Sequence, residues 1–91
     1  MTIDDRPPAG PVARADVTLQ RVGREAILHD ARNGKAHVIN GSAAQLWELC
    51  DGRPLDQLVA AFGALYGREP ETVSGDVVKT LANFEAMGLL G

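Results

Sequence analysis

The sequence predicts a two-layer α+β domain with its sheet first and its helices second. Three observations predict it. Short β-prone runs flank a Gly-Arg pair, a third such run follows an Asn-Gly pair, and from Ser42 onward apolar residues recur at helical spacing between prolines and glycines. A chain of 91 residues makes one small domain. A domain of this size buries only about 60–65% of the surface its unfolded chain exposes, so most apolar side chains are needed for the core.

The opening, "MTIDDRPPAGPVAR", has acids and prolines where a secretion signal has a basic start and an apolar run, so residues 1–14 read as a flexible tail and residues 15–91 as the folded domain. "DVTLQRV" and "EAILHDA" read as strands joined at Gly23-Arg24 by a hairpin of two or three residues. Asn33-Gly34 suits a two-residue type I′ turn, whose central residues both take positive φ. That turn pairs Arg32 with Lys35, Asp30 with His37, His29 with Val38 and Leu28 with Ile39, and sets the third strand at residues 35–40.

The first helix is expected to open with a capping box, Ser42 with Gln45, and to stop at Gly52. Ala43, Leu46, Trp47 and Cys50 form its apolar stripe. The second opens at Pro54, with Leu55, Leu58, Val59, Phe62 and Leu65 on one face, and ends before Gly67. The third follows Pro70, carries Val73, Val77, Leu81 and Phe84, and ends near Gly88. A three-helix bundle after a three-stranded antiparallel sheet is winged-helix-like.

Little in the chain suggests chemistry. In the expected register His29 and His37 point to opposite faces and share no metal, and His37 beside Asp30 is a solvated pair. Cys50 is the single cysteine, so neither a disulfide nor a cysteine-based metal site is available, which fits a reducing, cytoplasmic setting. Ser42 is assigned to a cap, Ser74 to a helix start and Cys50 to an apolar stripe, and none has a histidine close in sequence to activate it. No run is long and apolar enough to span a bilayer. The sequence therefore reads as neither an enzyme nor a membrane protein, without a cofactor. A DNA-binding winged helix-turn-helix regulator is the competing reading. The net charge of -3 and a third helix with Glu71, Asp76 and Glu85 against Lys79 have the wrong sign for it, so no nucleic-acid partner is expected.

At "HVINGSAAQLWELCDGRPLDQLVAAF" and "SGDVVKTLANFEAMGLL" the sequence resembles the PqqD-like family, the recognition elements for leader peptides of ribosomally made, post-translationally modified peptides. The matching residues are Ile39-Asn40, Ala43-Ala44, Leu46-Trp47, Asp51-Gly52, Asp76-Val77, Leu81, Phe84 and Gly88-Leu89. "DARNGKAHVIN" looks more like members attached to varied peptide pathways than like those serving pyrroloquinoline quinone synthesis. The resemblance implies a non-catalytic adaptor with two partners: a precursor leader peptide, and a modifying enzyme such as a radical S-adenosylmethionine protein, a peptidase or a cyclase.

The strand order gives that role a physical basis. If the third strand is a sheet edge, an extended peptide adds along Lys35, Ala36, His37, Val38 and Ile39 through main-chain bonds, and the expected register turns the Ala36 and Val38 amides outward and those of Lys35 and His37 inward. Specificity then comes from the third helix, whose wheel offers Asp76, Thr80, Asn83 and Met87 on one flank and Val78 with Glu85 on the other. The first flank is preferred because it mixes acid, hydroxyl, amide and thioether.

Overall fold

The computed structural model describes residues 10–91. Three strands, β1 (Val17–Val22), β2 (Glu25–Asp30) and β3 (Lys35–Asn40), precede three helices, α1 (Gly41–Leu49), α2 (Leu55–Leu65) and α3 (Pro70–Ala86). The sheet is antiparallel in the order β1-β2-β3, giving the expected α+β architecture.

Gly23, at φ 61, allows a two-residue turn between Val22 and Glu25. The second hairpin departs from expectation. Asp30 pairs with Lys35, His29 with Ala36 and Leu28 with His37, so the loop has four residues, 31–34. In it only Gly34 takes positive φ, at 63. Asn33 does not adopt the type I′ shape because it is held by Asp30: its backbone amide donates to Asp30 Oδ1 at 3.3 Å and its side-chain amide to Oδ2 at 2.8 Å. The expected pairings Arg32–Lys35, Asp30–His37, His29–Val38 and Leu28–Ile39 are thus displaced by two residues, and the Asp30–His37 pair does not form.

A displacement of two keeps every side chain on its face. Ala26, Leu28 and Asp30 of β2 and Ile39 of β3 are buried, with His37 half-buried on the same side. His29 lies on the opposite side, where its Nε2 is 2.8 Å from Gln20 Oε1.

Asn40, extended at φ -76 and ψ 170, caps α1 in place of the expected Ser42. Its Oδ1 accepts from the Ala43 amide at 2.8 Å and from Ser42 Oγ at 2.9 Å. The helix starts directly off the strand, because Gly41 passes so close to the β1–β2 turn that a Cβ there lies 2.8 Å from the Arg24 carbonyl oxygen. Gln45, released from a capping box, accepts instead from the Tyr66 hydroxyl. α1 ends at Leu49, ahead of Gly52, because Cys50 to Gly52 bond to the N-terminal segment.

Ala44, Leu46 and Trp47 of α1 and Cys50 just past it meet Leu58, Val59 and Phe62 of α2 and Val73, Val77 and Phe84 of α3 in one core. The Trp47 ring meets Phe84 edge to face, with centroids 5.5 Å apart. Leu55 and Leu65, expected on the buried face of α2, are 44% and 54% exposed: they stand at the two ends of a stripe whose middle, Leu58 to Phe62, fills the core.

Of the expected tail, residues 1–9 lie outside the described residues, whereas Gly10 to Arg14 are bonded into the fold. Val12 bridges Asp51 and Ala13 bridges Leu90. Arg14 donates through Nη1 and Nη2 to the Asp30 carboxylate at 3.0 and 3.1 Å, and through Nη1 to the Gly88 carbonyl at 2.8 Å. Asp30 is the buried acid of the described chain, at 1% exposure. The Asn33 amide, aided by Arg14 against the opposing effect of burial, holds its carboxyl at about 2, below the ordinary 3.8.

A depressed folded-state pKa means that the unfolded chain binds the proton first on acidification. The stability Asp30 contributes is therefore complete above about pH 4 and is lost as the pH falls towards 2. Thermal unfolding followed from pH 6 to 2 is expected to show a falling midpoint across that window. Asp30→Asn is expected to lower the midpoint near neutrality and flatten the acid slope. A residual slope remains from Asp51, which Arg53 holds at about 2. An unchanged slope in Asp30→Asn rules out this linkage.

Candidate functional site

Among the described residues β3 pairs on one side only, with β2. Its outward groups follow from the first hairpin. A two-residue turn closes on a mutually hydrogen-bonded pair, here Val22 and Glu25, so Glu25, Ile27 and His29 direct their backbone groups to β1. Ala26, Leu28 and Asp30 then face β3 and engage Ile39, His37 and Lys35. The amides of Ala36 and Val38 point away from the sheet. Both residues are exposed, Val38 to 66%.

The core-facing side of this edge runs into α3. A groove of about 300 Å³ is lined by Val38 and Ile39 from β3, Ser42 and Ala43 from α1, and Thr80, Asn83 and Met87 from α3. It continues into a concavity of about 490 Å³ bounded by α1, α2 and α3, where Asp76, Thr80 and Asn83 face Leu46, Phe62 and Tyr66. Asp76, Thr80, Asn83 and Met87 thus all line this continuous surface, and on β3 Val38 and Ile39 do so. Lys35, Ala36 and His37 continue the strand beyond it. The alternative flank residues Val78 and Glu85 line neither hollow. His37 turns its ring to the core side, where Nε2 is buried without a hydrogen-bond partner among the described residues.

Tyr66, Arg68 and Thr72, which help to complete the larger concavity, are not singled out by the sequence, and Lys79 is read there only as the lone cation of the third helix. Arg68 lies just past Gly67, a position that reads only as a turn. The one usable signal was Lys79, one helical turn from Asp76 on the chosen flank.

The candidate nucleophiles are engaged in structure. Ser42 Oγ donates to Asn40, and Ser74 Oγ lies 3.5 Å from the Glu71 carbonyl oxygen it faces. Cys50 is buried, its Sγ 3.3 Å from the Leu46 carbonyl oxygen, and burial pushes the thiol up to about 11, so it stays protonated at neutral pH. Among the described residues no group of three or more His, Cys, Asp or Glu is placed to hold a metal ion, and no helix is long and apolar enough to cross a membrane.

An antiparallel sheet with an open edge, set against the last helix of a three-helix bundle, defines a class of domain shaped for contact along a groove. The chain belongs to the PqqD family: the family model described as coenzyme PQQ synthesis protein D matches residues 25–90. No curated protein matches it. Among solved structures the chain is similar to TbiB1 in complex with the TbiA(beta) leader peptide, with a TM-score of 0.71 and 21% identity over 87% of this chain and 93% of that one. That likeness establishes a shared fold.

Proposed function

We propose that the domain is a non-catalytic adaptor that binds the leader peptide of a ribosomally synthesised, post-translationally modified peptide as an added strand on β3 and holds it for a modifying enzyme. The observation that carries this reading is the β3 edge, unpaired among the described residues, opening onto the α3 flank of Thr80, Asn83 and Met87. Membership of the PqqD family and the fold shared with a leader-peptide complex support it. Main-chain bonds along Ala36 and Val38 supply affinity with little sequence demand, and the α3 side chains select among peptides. The modifying enzyme belongs to the classes the family resemblance implies, a radical S-adenosylmethionine protein, a peptidase or a cyclase, and the pair works in the cytoplasm. DNA binding is disfavoured by the acids of α3, which stand against Lys79 alone.

Titration calorimetry against the leader of a precursor encoded beside this chain is expected to give one-to-one binding, with the peptide mass unchanged after incubation. Peptide turnover by the isolated domain contradicts the adaptor role. Affinity that collapses steeply with salt points instead to a phosphate-bearing partner.

A further inference from the structure

The concavity between α1, α2 and α3 combines two properties that the strand edge does not need. Its floor is apolar, with Leu46 1%, Val73 5% and Phe62 8% exposed. Its rim carries two cations, Arg68 in the loop after α2 and Lys79 on α3, against a single carboxylate, Asp76. Arg14, Arg21, Arg32 and Arg53 are all committed to ion pairs. Arg68 and Lys79, like Arg24 and Lys35 elsewhere on the surface, enter none among the described residues, although Asp76 lies one turn from Lys79. The result is surplus positive charge beside the Phe62–Tyr66 ring pair, in a chain whose net charge is -3. Thr80 and Asn83, with Asn40, Ser42 and Ala43, line both this concavity and the β3–α3 groove, so a peptide extending along the groove runs into it at the Asn40 end of β3.

We infer that this concavity is a second, selective subsite for the peptide, taking an Asp or Glu side chain next to an apolar one. The apolar residue seats against the Tyr66 ring, 42% exposed and packed on Phe62, and the carboxylate is met by Arg68 and Lys79. Charge-assisted bonds to a carboxylate are the strong kind, and two cations on one rim can supply them together. Asp76 sharpens the choice by repelling a second acid placed at the groove side. This inference rests on the peptide-binding reading above and adds a sequence preference to it.

The test uses a phage-displayed random peptide library panned on the wild-type domain and on the double variant Arg68→Glu, Lys79→Glu. Both substituted side chains are exposed, and circular dichroism checks the fold. Peptides selected by the wild type are expected to share an acid beside an apolar residue. Changing that acid to its amide, or introducing the double variant, is expected to weaken binding roughly ten- to a hundredfold. Replacing the acid by Arg is expected to restore affinity towards the double variant. Selected peptides that lose affinity on Ala36→Pro but ignore every charge change overturn the subsite and leave the adaptor reading standing. Failure to select any peptide on the wild type overturns both.

Discussion

Phe84→Ala is expected to lower the unfolding free energy by about 3–5 kcal/mol, the range for truncating a fully buried aromatic. Phe84 is 1% exposed and is met edge-on by Trp47, so its removal takes away both apolar burial and the ring contact. Trp47 and Phe84 belong to different helices, and partial collapse of either into the gap has to move a helix. At about 4–8 °C per kcal/mol for a domain of this size, the thermal midpoint falls by at least about 12 °C. Urea denaturation followed by Trp47 fluorescence measures the loss directly. Phe84→Leu, which keeps most of the volume, is expected to lose much less. A Phe84→Ala loss below about 1 kcal/mol means that the ring is not packed as described.

Ala36→Pro is expected to weaken leader binding by about 1–3 kcal/mol, or about 5- to 150-fold, while leaving the thermal midpoint nearly unchanged. Proline removes the outward amide of Ala36 and places its ring in the path of an added strand. No internal ladder bond is lost, because that amide faces away from β2. Val38→Pro is expected to weaken binding similarly and also to lose the apolar contact of Val38. His37→Pro is the contrasting control: its amide engages Leu28, so proline there damages the sheet itself. Peptide affinity and thermal midpoint measured for all three variants separate the cases. A well-folded Ala36→Pro domain with unchanged affinity shows that the peptide does not dock on this edge.

The alternation of proton donors along β3 is legible in the sequence even though the length of the turn before it is not. Asn33-Gly34 is a strong local signal for a two-residue turn, but a tertiary one prevailed: Asp30, pinned by Arg14, recruits Asn33 into the loop. Since the strands moved by an even number of residues, faces and amide directions stayed as expected. Helix positions were legible for a simpler reason. Proline and glycine punctuate them, and Gly67 and Gly88 take positive φ just past α2 and α3. The α3 flank was legible as a set of residues, but which side meets β3 depends on how the helix packs, which periodicity does not encode. The Arg14–Asp30 pair was missed because an acid on a core-facing strand position looks like a solvated strand end until its partner, sixteen residues earlier, is brought to it.

The bridge between Ala13 and Leu90 lays the first and last described segments side by side, with Cα atoms about 5 Å apart as in any antiparallel pair. Such a domain can be spliced into a surface loop of a larger protein as a cassette, since the host need not stretch to span it. Trimming to residue 15 removes that shared anchor, so a splice that keeps it has to begin no later than Gly10.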